Sequence, residues 1–465
     1  MAAYTLPTRL PAEIFRAYDI RGVVPHKLNE NIVYSVGLAL GSLAREQQIS
    51  TWVIGHDHRF SSVAFNRALC AGLLETSMHV IDVGQVPTPA LYFATHFLKT
   101  FAGVMITGSH CAPEYNGLKM VMAGKPLAEE AIQALAVRIQ QAQFQFGQGH
   151  YTKQDITSDY LQAILSRVTP LKNRKKVVLD AGHGMMSELA PLLLEKLNCE
   201  VVSLYCEIDP TFPDHHPDPS VPENLQDLIH LVQQEQAALG IAFDGDGDRI
   251  GVVTDQGTII WPDRLLAAYA QALLPQVPGG VVLYDVKCTR QLKPFIEACG
   301  GKPVLWKTGH SHIKSKMQAM QAVVAGEMSG HLFFGHNWYG FDDALFAAAM
   351  LVSMLDKQPL STEAFFAAIP NSLNTPELKL PMAEKEKFLF IEKFIQEAHF
   401  SESEKITIDG LRVEYADGFG LIRASNTSPY LILRFEGDTP AALSRIQEEF
   451  KKNLLAIAPT LPLPF

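Results

Sequence analysis

The chain has 465 residues, of which 47% are hydrophobic and 19% are charged, and its formal net charge is -10. This is the composition of an ordinary globular protein, long enough for roughly three or four domains of about 100–200 residues each. The acidic balance argues against a nucleic-acid partner, which would need a broad basic face. The longest apolar run, Ala344–Leu355, is too short to cross a bilayer, so it predicts a buried helix and no membrane partner.

Cysteine usage and the N-terminal segment indicate where the protein works. The six cysteines are scattered and form no metal-binding or disulfide spacing. The segment from Met1 to Phe15 has no apolar core of the signal-peptide type. We therefore expect a cytoplasmic protein.

The chain repeats one pattern three times: an apolar strand, a polar loop and a helix. The strands are predicted at Thr51–Gly55, Lys175–Leu179 and Val281–Tyr284, and the helices near 63–76, 188–197 and 289–299. This order predicts three α/β units. After Pro381, a helix, two strands and a further helix predict a smaller α+β domain. The compositional breaks place the four domains at residues 1–154, 155–256, 257–370 and 371–465.

A loop with a candidate nucleophile follows an apolar run at 101–106. The run predicts a buried strand that ends at Thr107, so Ser109 and His110 lie in a loop at its carboxyl end. Ligands of open α/β sheets bind at such ends, where a serine hydroxyl can react. Serine is also common as a turn or cap residue, so this loop alone does not establish a function.

A second loop, Asp244-Gly245-Asp246-Gly247-Asp248-Arg249, lies between two apolar runs and is predicted to connect two strands. Its three alternating carboxylates would repel one another without a cation, and its glycines let the oxygens converge on one. A calcium EF-hand does not fit, because its sixth position is Arg249 instead of Gly and its twelfth is Asp255 instead of Glu. We therefore expect Mg²⁺.

Two further loops carry polar side chains, one set suited to a polyol and the other to a phosphate. The loop Gly326–His331 offers a carboxylate, a hydroxyl and an imidazole, which suit a polyol. The loop Arg423–Pro429 combines a guanidinium with hydroxyls and backbone amides, which suit a phosphate dianion. Each loop alone is also compatible with a structural turn.

Taken together, the four loops have an order and spacing that resemble the α-D-phosphohexomutase family, most closely its bacterial phosphomannomutase/phosphoglucomutase branch. The segments 15–22, 215–219 and 307–311 add to the resemblance, which spans nearly the whole chain. It implies four domains around a central cleft: three related α/β units with mixed sheets and a smaller C-terminal α+β domain.

The resemblance also implies roles for individual residues. Ser109 would carry the phosphoryl group, and either Lys119 or His331 would serve as the general base. The implied catalytic set is Ser109, His110, Lys119, Arg249 and His331, and the implied metal ligands are Asp244, Asp246, Asp248 and Ser109. The implied substrate-binding set is Tyr18, Arg21, Lys287, His310, Glu327, Met328, Ser329, Gly330, His331, Arg423, Ala424, Ser425, Asn426 and Thr427.

The implied activity is the reversible interconversion of hexose 1-phosphates and 6-phosphates of mannose and glucose. It would proceed through a phosphoserine and a 1,6-bisphosphate intermediate, with Mg²⁺ as cofactor and glucose or mannose 1,6-bisphosphate as activator. The implied partner is a phosphosugar, and we expect a monomer. One departure is that Cys111 and Ala112 replace the usual Asn and Pro after the Ser-His pair, which predicts a less rigid loop.

Three alternatives are considered, one within the family and two from other functional classes. A phosphoglucosamine mutase usually has Gln where this chain has Met328, which favours mannose and glucose. A phosphoserine-type sugar phosphatase would not need a separate phosphate-binding loop in a terminal domain. A non-catalytic sugar-phosphate-binding protein would not need Ser109 together with three aspartates.

Overall fold

The computed structural model describes residues 4–426 and 428–465. These residues form four β-sheets with helices packed against them. The chain divides into two compact units, which are described separately. Unit 1 comprises Met1–Pro262 and Ser329–Ala367, and unit 2 comprises Asp263–Met328 and Ala368–Phe465.

The first sheet belongs to unit 1 and is mixed. Its region contains β1 (Ile20–Val23), α1 (Glu30–Glu46), β2 (Thr51–His56), α2 (Ser62–Leu74), β3 (His79–Gln85), α3 (Thr88–Phe97), β4 (Gly103–Ile106), β5 (Tyr115–Met122), β6 (Lys125–Pro126), α4 (Glu130–Gln140) and β7 (His150–Lys153). The strand order is β1-β5-β4-β2-β3-β7, with β6 paired to β5. Strands β4, β2, β3 and β7 run parallel, and β5 is antiparallel to both β1 and β4.

The second sheet, also in unit 1, has a similar order. Its region contains α5 (Thr157–Leu165), β8 (Lys175–Asp180), α6 (Met186–Lys196), β9 (Cys199–Leu204), α7 (Gln226–Gln234), β10 (Leu239–Phe243), β11 (Ile250–Thr254) and β12 (Ile259–Ile260). The order is β12-β11-β10-β8-β9. Strand β8 is parallel to β9 and β10, and β10 is antiparallel to β11.

The third α/β region begins with α8 (Pro262–Leu273), β13 (Val281–Asp285), α9 (Leu292–Ala298), β14 (Lys302–Trp306), α10 (His310–Met320) and β15 (Val324–Gly326). Strand β13 is parallel to β14 on one side and to β15 on the other. The chain then enters the second segment of unit 1, which contains β16 (Leu332–Phe334), α11 (Ala344–Asp356) and α12 (Thr362–Ala367).

The fourth sheet is antiparallel and lies in unit 2. It is built from β17 (Leu373–Asn374), β18 (Leu378–Pro381), β19 (Glu404–Ile406), β20 (Leu411–Tyr415), β21 (Gly418–Ala424) and β22 (Tyr430–Gly437). The order is β17-β22-β21-β20-β19, with β18 paired to β22. Two helices, α13 (Lys387–Glu397) and α14 (Pro440–Ile457), pack on this sheet around a shared apolar core.

The strand orders confirm three related α/β units followed by a smaller α+β domain. Strands β2, β8 and β13 occupy the same position, each between two parallel neighbours. These are the three strands that the repeated sequence pattern predicts. The predicted helix starts are less accurate, because the helix predicted from residue 289 is α9, which begins three residues later at Leu292.

Some of the helices begin at a side chain that caps the first turn. The side chain of Asn29 accepts a hydrogen bond from Ile32 N, and that of Asp343 accepts one from Phe346 N. Each satisfies a backbone donor that the first turn of a helix leaves unpaired. The apolar run predicted to be a buried helix is α11, whose side chains are almost all buried. Among the described helices, none combines the length and the apolar content needed to cross a membrane.

Candidate active site

Three of the predicted site loops follow equivalent strands of the three α/β regions. The loop with Ser109 follows β4, the loop with the three aspartates follows β10, and the loop with Glu327 follows β15. In each α/β region this strand runs parallel to its central neighbour, which is β2, β8 or β13. Each loop therefore starts at the carboxyl end of its strand. Carboxyl ends of parallel strands are where open α/β sheets bind ligands.

Ser109 lies at a strained and buried position. Its φ angle is 50°, in the left-handed region that residues with a Cβ rarely adopt, and its side chain is buried. The Oγ lies 3.0 Å from Asp244 Oδ2 and 3.3 Å from His110 Nδ1. The backbone N–H donates to Thr107 Oγ1 at 2.8 Å. The hydroxyl is therefore held against the acidic loop rather than used as a helix cap.

Arg59 restrains the Ser109 loop through hydrogen bonds to its backbone. Its guanidinium donates to the carbonyl oxygens of Ser109 and Cys111 at 2.8 and 2.6 Å. It also donates to those of Ala112 and Tyr115, at 2.6 and 3.0 Å. A planar fork with several donors can reach all four carbonyls, and a single ammonium cannot. Arg59 thus supplies a restraint on the segment in which the sequence lacks Asn and Pro.

Two contacts explain why the backbone fits around this guanidinium. Asp57 Oδ2 accepts a hydrogen bond from Gly108 N at 3.1 Å and lies 3.3 Å from Arg59 Nε. A Cβ at Gly108 would lie 2.4 Å from Arg59 Cζ, so only glycine allows this approach. Asp57 and Arg59 follow β2 in the polar segment before α2, and no sequence motif marks them as part of the site.

We expect Arg59→Lys to lower kcat by about 10- to 100-fold, because a small displacement of a reacting group costs rate on this scale. The lysine keeps the positive charge but cannot donate to four carbonyls. Steady-state kinetics measure the effect, and the matched control is Arg67→Lys at an exposed position of α2. A kcat within twofold of wild type for Arg59→Lys would show that the clamp does not position Ser109.

The three carboxylates of the acidic loop lie close together and are fully buried. Oxygens of Asp244, Asp246 and Asp248 lie within 4.8 Å of one another. Asp244 Oδ1 accepts hydrogen bonds from the backbone of Asp248 and Arg249, both at 3.0 Å. Burial, and then the charges of Asp248 and Asp246, raise the pKa of Asp244 well above its usual range. This mutual repulsion is what a cation would relieve.

Lys119 on β5 partly balances this negative charge. Its Nζ lies 2.7 Å from Asp246 Oδ2 and 2.5 Å from Asp248 Oδ2. Burial would lower the pKa of Lys119, but the two carboxylates outweigh it and hold the pKa well above its usual range. Thr88 at the start of α3 donates to Asp246 Oδ2 at 2.5 Å. Lys119 therefore acts here as a fixed cation, and Thr88 is a contact that the sequence did not suggest.

The residues present fit a hard divalent cation. Asp246 Oδ1 and Asp248 Oδ1 are buried and have no hydrogen-bond partner. Together with Asp244 Oδ2 and Ser109 Oγ they supply oxygen donors, which Mg²⁺ and Ca²⁺ prefer over nitrogen and sulfur. Buried carboxylate oxygens without a partner are costly unless something binds them.

Charged groups on both sides of His110 set the electrostatics beside Ser109. Desolvation, and then the Arg249 cation, lower the pKa of His110 well below its usual range, so the ring is neutral. Arg249 Nη1 lies 4.0 Å from Asp218 Oδ1. Burial would raise the pKa of Asp218, but the positive charge of Arg249 and hydrogen bonds from Ser220 hold it below its usual range. Asp218, from the segment 215–219, is thus an ionised partner of Arg249.

Arg21 and Tyr18 lie at the same region of unit 1. Arg21 donates to Cys111 Sγ at 2.9 Å and to Asp19 Oδ2 at 2.5 Å. Both Tyr18 and Arg21 are buried. The contact with Cys111 links Arg21 directly to the segment that follows Ser109.

His331 joins the same group of residues. Arg249 and His331 form an isolated β-bridge, and Arg249 Nε lies 3.1 Å from His331 Nε2. Arg249 Nε also lies 3.9 Å from Asp244 Oδ2. Gly330, which has a φ of 97°, accepts a hydrogen bond from Ile250 N at 3.1 Å. The structure therefore connects Ser109 to His331 through Asp244 and Arg249.

Of the other described residues predicted to bind substrate, Ser329 begins the second segment of unit 1, and the rest lie in unit 2. Lys287 Nζ lies 2.5 Å from Glu377 Oε1. His310 begins α10, and the preceding Gly309 donates its N–H to a side-chain oxygen of Glu327. Met328 N donates to Asp285 Oδ1 at 3.3 Å. The segment after β15 is thus joined by hydrogen bonds to the start of α10 and to the end of β13.

The predicted loop Arg423–Pro429 begins inside β21, which carries the Arg423 guanidinium, and the segment after the strand adds a hydroxyl. Arg423 Nε donates to Asp409 Oδ2 at 3.0 Å, and Thr308 N donates to the same oxygen at 3.0 Å. Asp409 therefore connects Arg423 to the segment that precedes His310. Ser425 Oγ lies 2.8 Å from Ser428 Oγ. Ala424 is the last residue of β21 and Asn426 is half-buried, whereas Thr427 lies outside the described residues.

Family models and curated relatives that match this chain carry related names. Four family models described as phosphoglucomutase/phosphomannomutase match the chain: α/β/α domain I at 12–146, domain II at 158–257, domain III at 261–372 and the C-terminal domain at 377–453. A Pseudomonas putida protein named phosphomannomutase/phosphoglucomutase is 48% identical over 466 residues, covering 100% of both chains. A Neisseria meningitidis protein named phosphoglucomutase is 46% identical and covers 94% of this chain and 96% of its own.

A solved structure gives the same result. A phosphoglucomutase/phosphomannomutase family protein from Burkholderia thailandensis is 44% identical, with a TM-score of 0.93. The match covers 98% of this chain and 100% of that one. The similarity thus extends through all four sheets.

Proposed function

Because the chain belongs to the phosphoglucomutase/phosphomannomutase family, we propose that it interconverts the 1-phosphates and 6-phosphates of mannose and glucose. The observation that carries the proposal is the contact of Ser109 Oγ with Asp244 inside a buried group of three carboxylates. A buried serine beside a cation-binding group is suited to phosphoryl transfer, in which alignment and charge neutralisation supply most of the catalysis.

In the proposed reaction a phosphorylated Ser109 gives its phosphoryl group to one end of a hexose monophosphate. The resulting 1,6-bisphosphate reorients and returns its other phosphoryl group to Ser109. The strained backbone and the Arg59 clamp keep the serine oxygen in one place for both half-reactions. Glucose or mannose 1,6-bisphosphate would act as activator by restoring the phosphoserine.

The cation in this proposal is Mg²⁺, held by Asp244, Asp246, Asp248 and Ser109. When bound there, it would neutralise the charge that spreads over the transferring phosphoryl group. Arg249 would add a second positive charge, because Asp218 and Asp244 hold its guanidinium in place. Lys119 would partly balance the charge of the acidic loop, because its ammonium contacts both Asp246 and Asp248.

A base must take the proton of the attacking sugar hydroxyl, and the contacts favour His331 over Lys119. Arg249 Nε can only donate a hydrogen bond, so His331 Nε2 must accept it and carries a lone pair. Lys119, by contrast, is held as an ammonium by two carboxylates. His331 is therefore the better candidate for the general base.

The remaining residues of the predicted set would recognise the substrate. Glu327, Ser329 and His331 offer groups for the ring hydroxyls, and Lys287 and His310 add positive or donating groups. Arg423, with Ser425 and its neighbours, would bind a phosphate of the substrate. Such a site recognises the phosphate group and not the sugar, so it can bind the 1-phosphate and the 6-phosphate in turn.

We expect Arg423→Ala to raise KM for both mannose and glucose phosphates by about tenfold or more, the scale of losing a charge-assisted hydrogen bond. The variant should also depend on added bisphosphate, because the intermediate escapes before it reorients. Kinetics with and without glucose 1,6-bisphosphate measure both effects. The control is Arg445→Ala, which removes a half-exposed guanidinium of the same unit. An unchanged KM for every phosphosugar would place the phosphate clamp elsewhere.

The proposed function is tested by assaying the purified chain with the 1-phosphates of mannose, glucose and glucosamine. We expect conversion of the mannose and glucose substrates to their 6-phosphates with comparable kcat/KM, and little conversion of glucosamine 1-phosphate. A preference for glucosamine would favour a phosphoglucosamine mutase. Release of inorganic phosphate without sugar 6-phosphate would instead favour a phosphatase.

A further inference from the structure

The Asp246 carboxylate has one oxygen bonded within the protein and one oxygen without a hydrogen-bond partner. Oδ2 accepts a hydrogen bond from Thr88 Oγ1 at 2.5 Å and another from Lys119 Nζ at 2.7 Å. Oδ1 is buried and has no hydrogen-bond partner. The terminal torsion of an aspartate is broad, so the direction of Oδ1 depends on the groups that hold Oδ2.

The same division of the two oxygens recurs in the other carboxylates of the acidic loop. Asp244 Oδ1 accepts from the backbone of Asp248 and Arg249, and Asp244 Oδ2 lies 3.0 Å from Ser109 Oγ. Asp248 Oδ2 bonds to Lys119, and Asp248 Oδ1 is buried without a hydrogen-bond partner. Each aspartate is thus held through one oxygen, which leaves the other for the site.

Thr88 is the more rigid of the two donors to Asp246. It is the first residue of α3 and is 0% exposed. Its backbone N–H donates to the backbone oxygen of Asp246 at 2.9 Å, and its β-branched side chain has few rotamers. The ammonium of Lys119 ends a flexible stem and is shared with Asp248. Thr88 therefore supplies Asp246 Oδ2 with a donor in a fixed place.

The backbone around Asp246 is held without the Thr88 hydroxyl. Gly247 N donates to the carbonyl oxygen of Asp244 at 3.1 Å. The hydrogen bond from Thr88 N to Asp246 O also involves only backbone atoms. Thr88→Val keeps a β-branched side chain of similar size and can keep these contacts, so it should remove only the bond to the carboxylate.

We propose that Thr88 is a positioning residue that fixes Asp246 through Oδ2 and so leaves Oδ1 for the cation. The inference rests on the proposed function, in which the three aspartates hold Mg²⁺. Thr88 acts through Asp246, and its hydroxyl is the group that matters. Thr88→Ser keeps this donor and should therefore keep the role, whereas Thr88→Val loses it.

Thr95 provides a matched control in the same helix. It is 1% exposed, and its Oγ1 donates to the carbonyl oxygen of Tyr92 at 2.7 Å, within α3. Thr95→Val therefore also removes a buried threonine hydroxyl, but it leaves the bonds of Asp246 in place. A general effect of losing such a hydroxyl on the stability of α3 should appear in both valine variants.

Calorimetric titration with MgCl₂ tests the proposal on full-length, EDTA-treated and dialysed chains, with intact mass confirming the same phosphorylation state of Ser109 in each. We expect Thr88→Val to raise the Kd for Mg²⁺ by about tenfold or more, the scale of losing a hydrogen bond that orients a metal ligand. Thr88→Ser and Thr95→Val should have a Kd close to that of wild type. A wild-type Kd in Thr88→Val, or an equal rise in Thr88→Ser or Thr95→Val, would overturn the proposal.

The same titrations separate this role from the proposed function. A wild-type chain that binds Mg²⁺ without interconverting hexose phosphates would defeat the proposed function, and a raised Kd in Thr88→Val would still support the role of Thr88. An active wild type with an unchanged Kd in Thr88→Val would overturn that role alone. A wild-type chain that binds no Mg²⁺ would overturn both the role of Thr88 and the cation in the proposed function.

Discussion

An alanine at position 109 is expected to lower kcat for hexose phosphate interconversion by about 10⁴-fold or more, the scale of deleting a covalent nucleophile. Arg59 bonds the backbone at this position and not the side chain, so the loop should keep its shape when the hydroxyl is removed. The loss would then report the chemistry and not a displaced loop.

The experiment for this variant combines kinetics with mass spectrometry of the intact chain. Wild type should carry one added phosphoryl group on the peptide that contains Ser109, and Ser109→Ala should carry none. Ser166→Ala, at an exposed site of the same unit, serves as control and should keep both the phosphate and the activity. Near wild-type turnover of Ser109→Ala with added glucose 1,6-bisphosphate would exclude the covalent route.

A second large effect is expected from Asp246→Asn, which should lower kcat by about 10²-fold or more, as when a transition-state electrostatic partner is lost. Asp246 contributes a buried oxygen without a hydrogen-bond partner and another that bonds to Lys119 and Thr88. The amide weakens the hold on a cation and also leaves the Lys119 ammonium with less compensation.

Magnesium titration distinguishes these two consequences. If Asp246 binds the cation, the magnesium concentration needed for half-maximal activity should rise in Asp246→Asn, and calorimetry should show weaker binding. Asp159→Asn removes an exposed carboxylate in the first turn of α5 and should change neither quantity. Activity that survives thorough EDTA treatment of the wild type would count against a catalytic cation.

The sequence predicted the parts of the site that are local. Three aspartates at alternating positions between two apolar runs define a loop between strands, and the structure has β10 and β11 on either side of it. The strand before Ser109 is also set by a continuous apolar run. In both cases the residues that decide the structure are neighbours in the chain, so a pattern of a few residues carries the information.

Contacts between distant segments were not predictable from these patterns. Arg59 reaches the Ser109 loop only because β2 and β4 are neighbours in the sheet, and chain order does not give that pairing. For the same reason the sequence did not suggest that Thr88 contacts Asp246. Each of these side chains is an ordinary polar residue in its own segment and gains a role only when the strands are assembled.

The effect of Cys111 and Ala112 shows how the assembled structure changes a local expectation. From residue types alone, losing the Asn and Pro of the family pattern predicts a looser loop. In the structure, Arg59 donates to the carbonyl oxygens of both residues, and Arg21 donates to Cys111 Sγ. The restraint that Arg59 supplies acts on backbone carbonyl groups, which every residue has. This part of the restraint therefore does not depend on the side chains at positions 111 and 112.

The most direct test of the phosphoserine route follows the phosphoryl group itself. Enzyme carrying a ³²P-labelled phosphoryl group on Ser109 is mixed with unlabelled glucose 1-phosphate for a single turnover. If Ser109 transfers its phosphoryl group to the sugar, the label should leave Ser109, pass through glucose 1,6-bisphosphate and end in the 6-phosphate of the product. Label that stays on Ser109 while product forms, or that appears as inorganic phosphate at the rate of turnover, would contradict it.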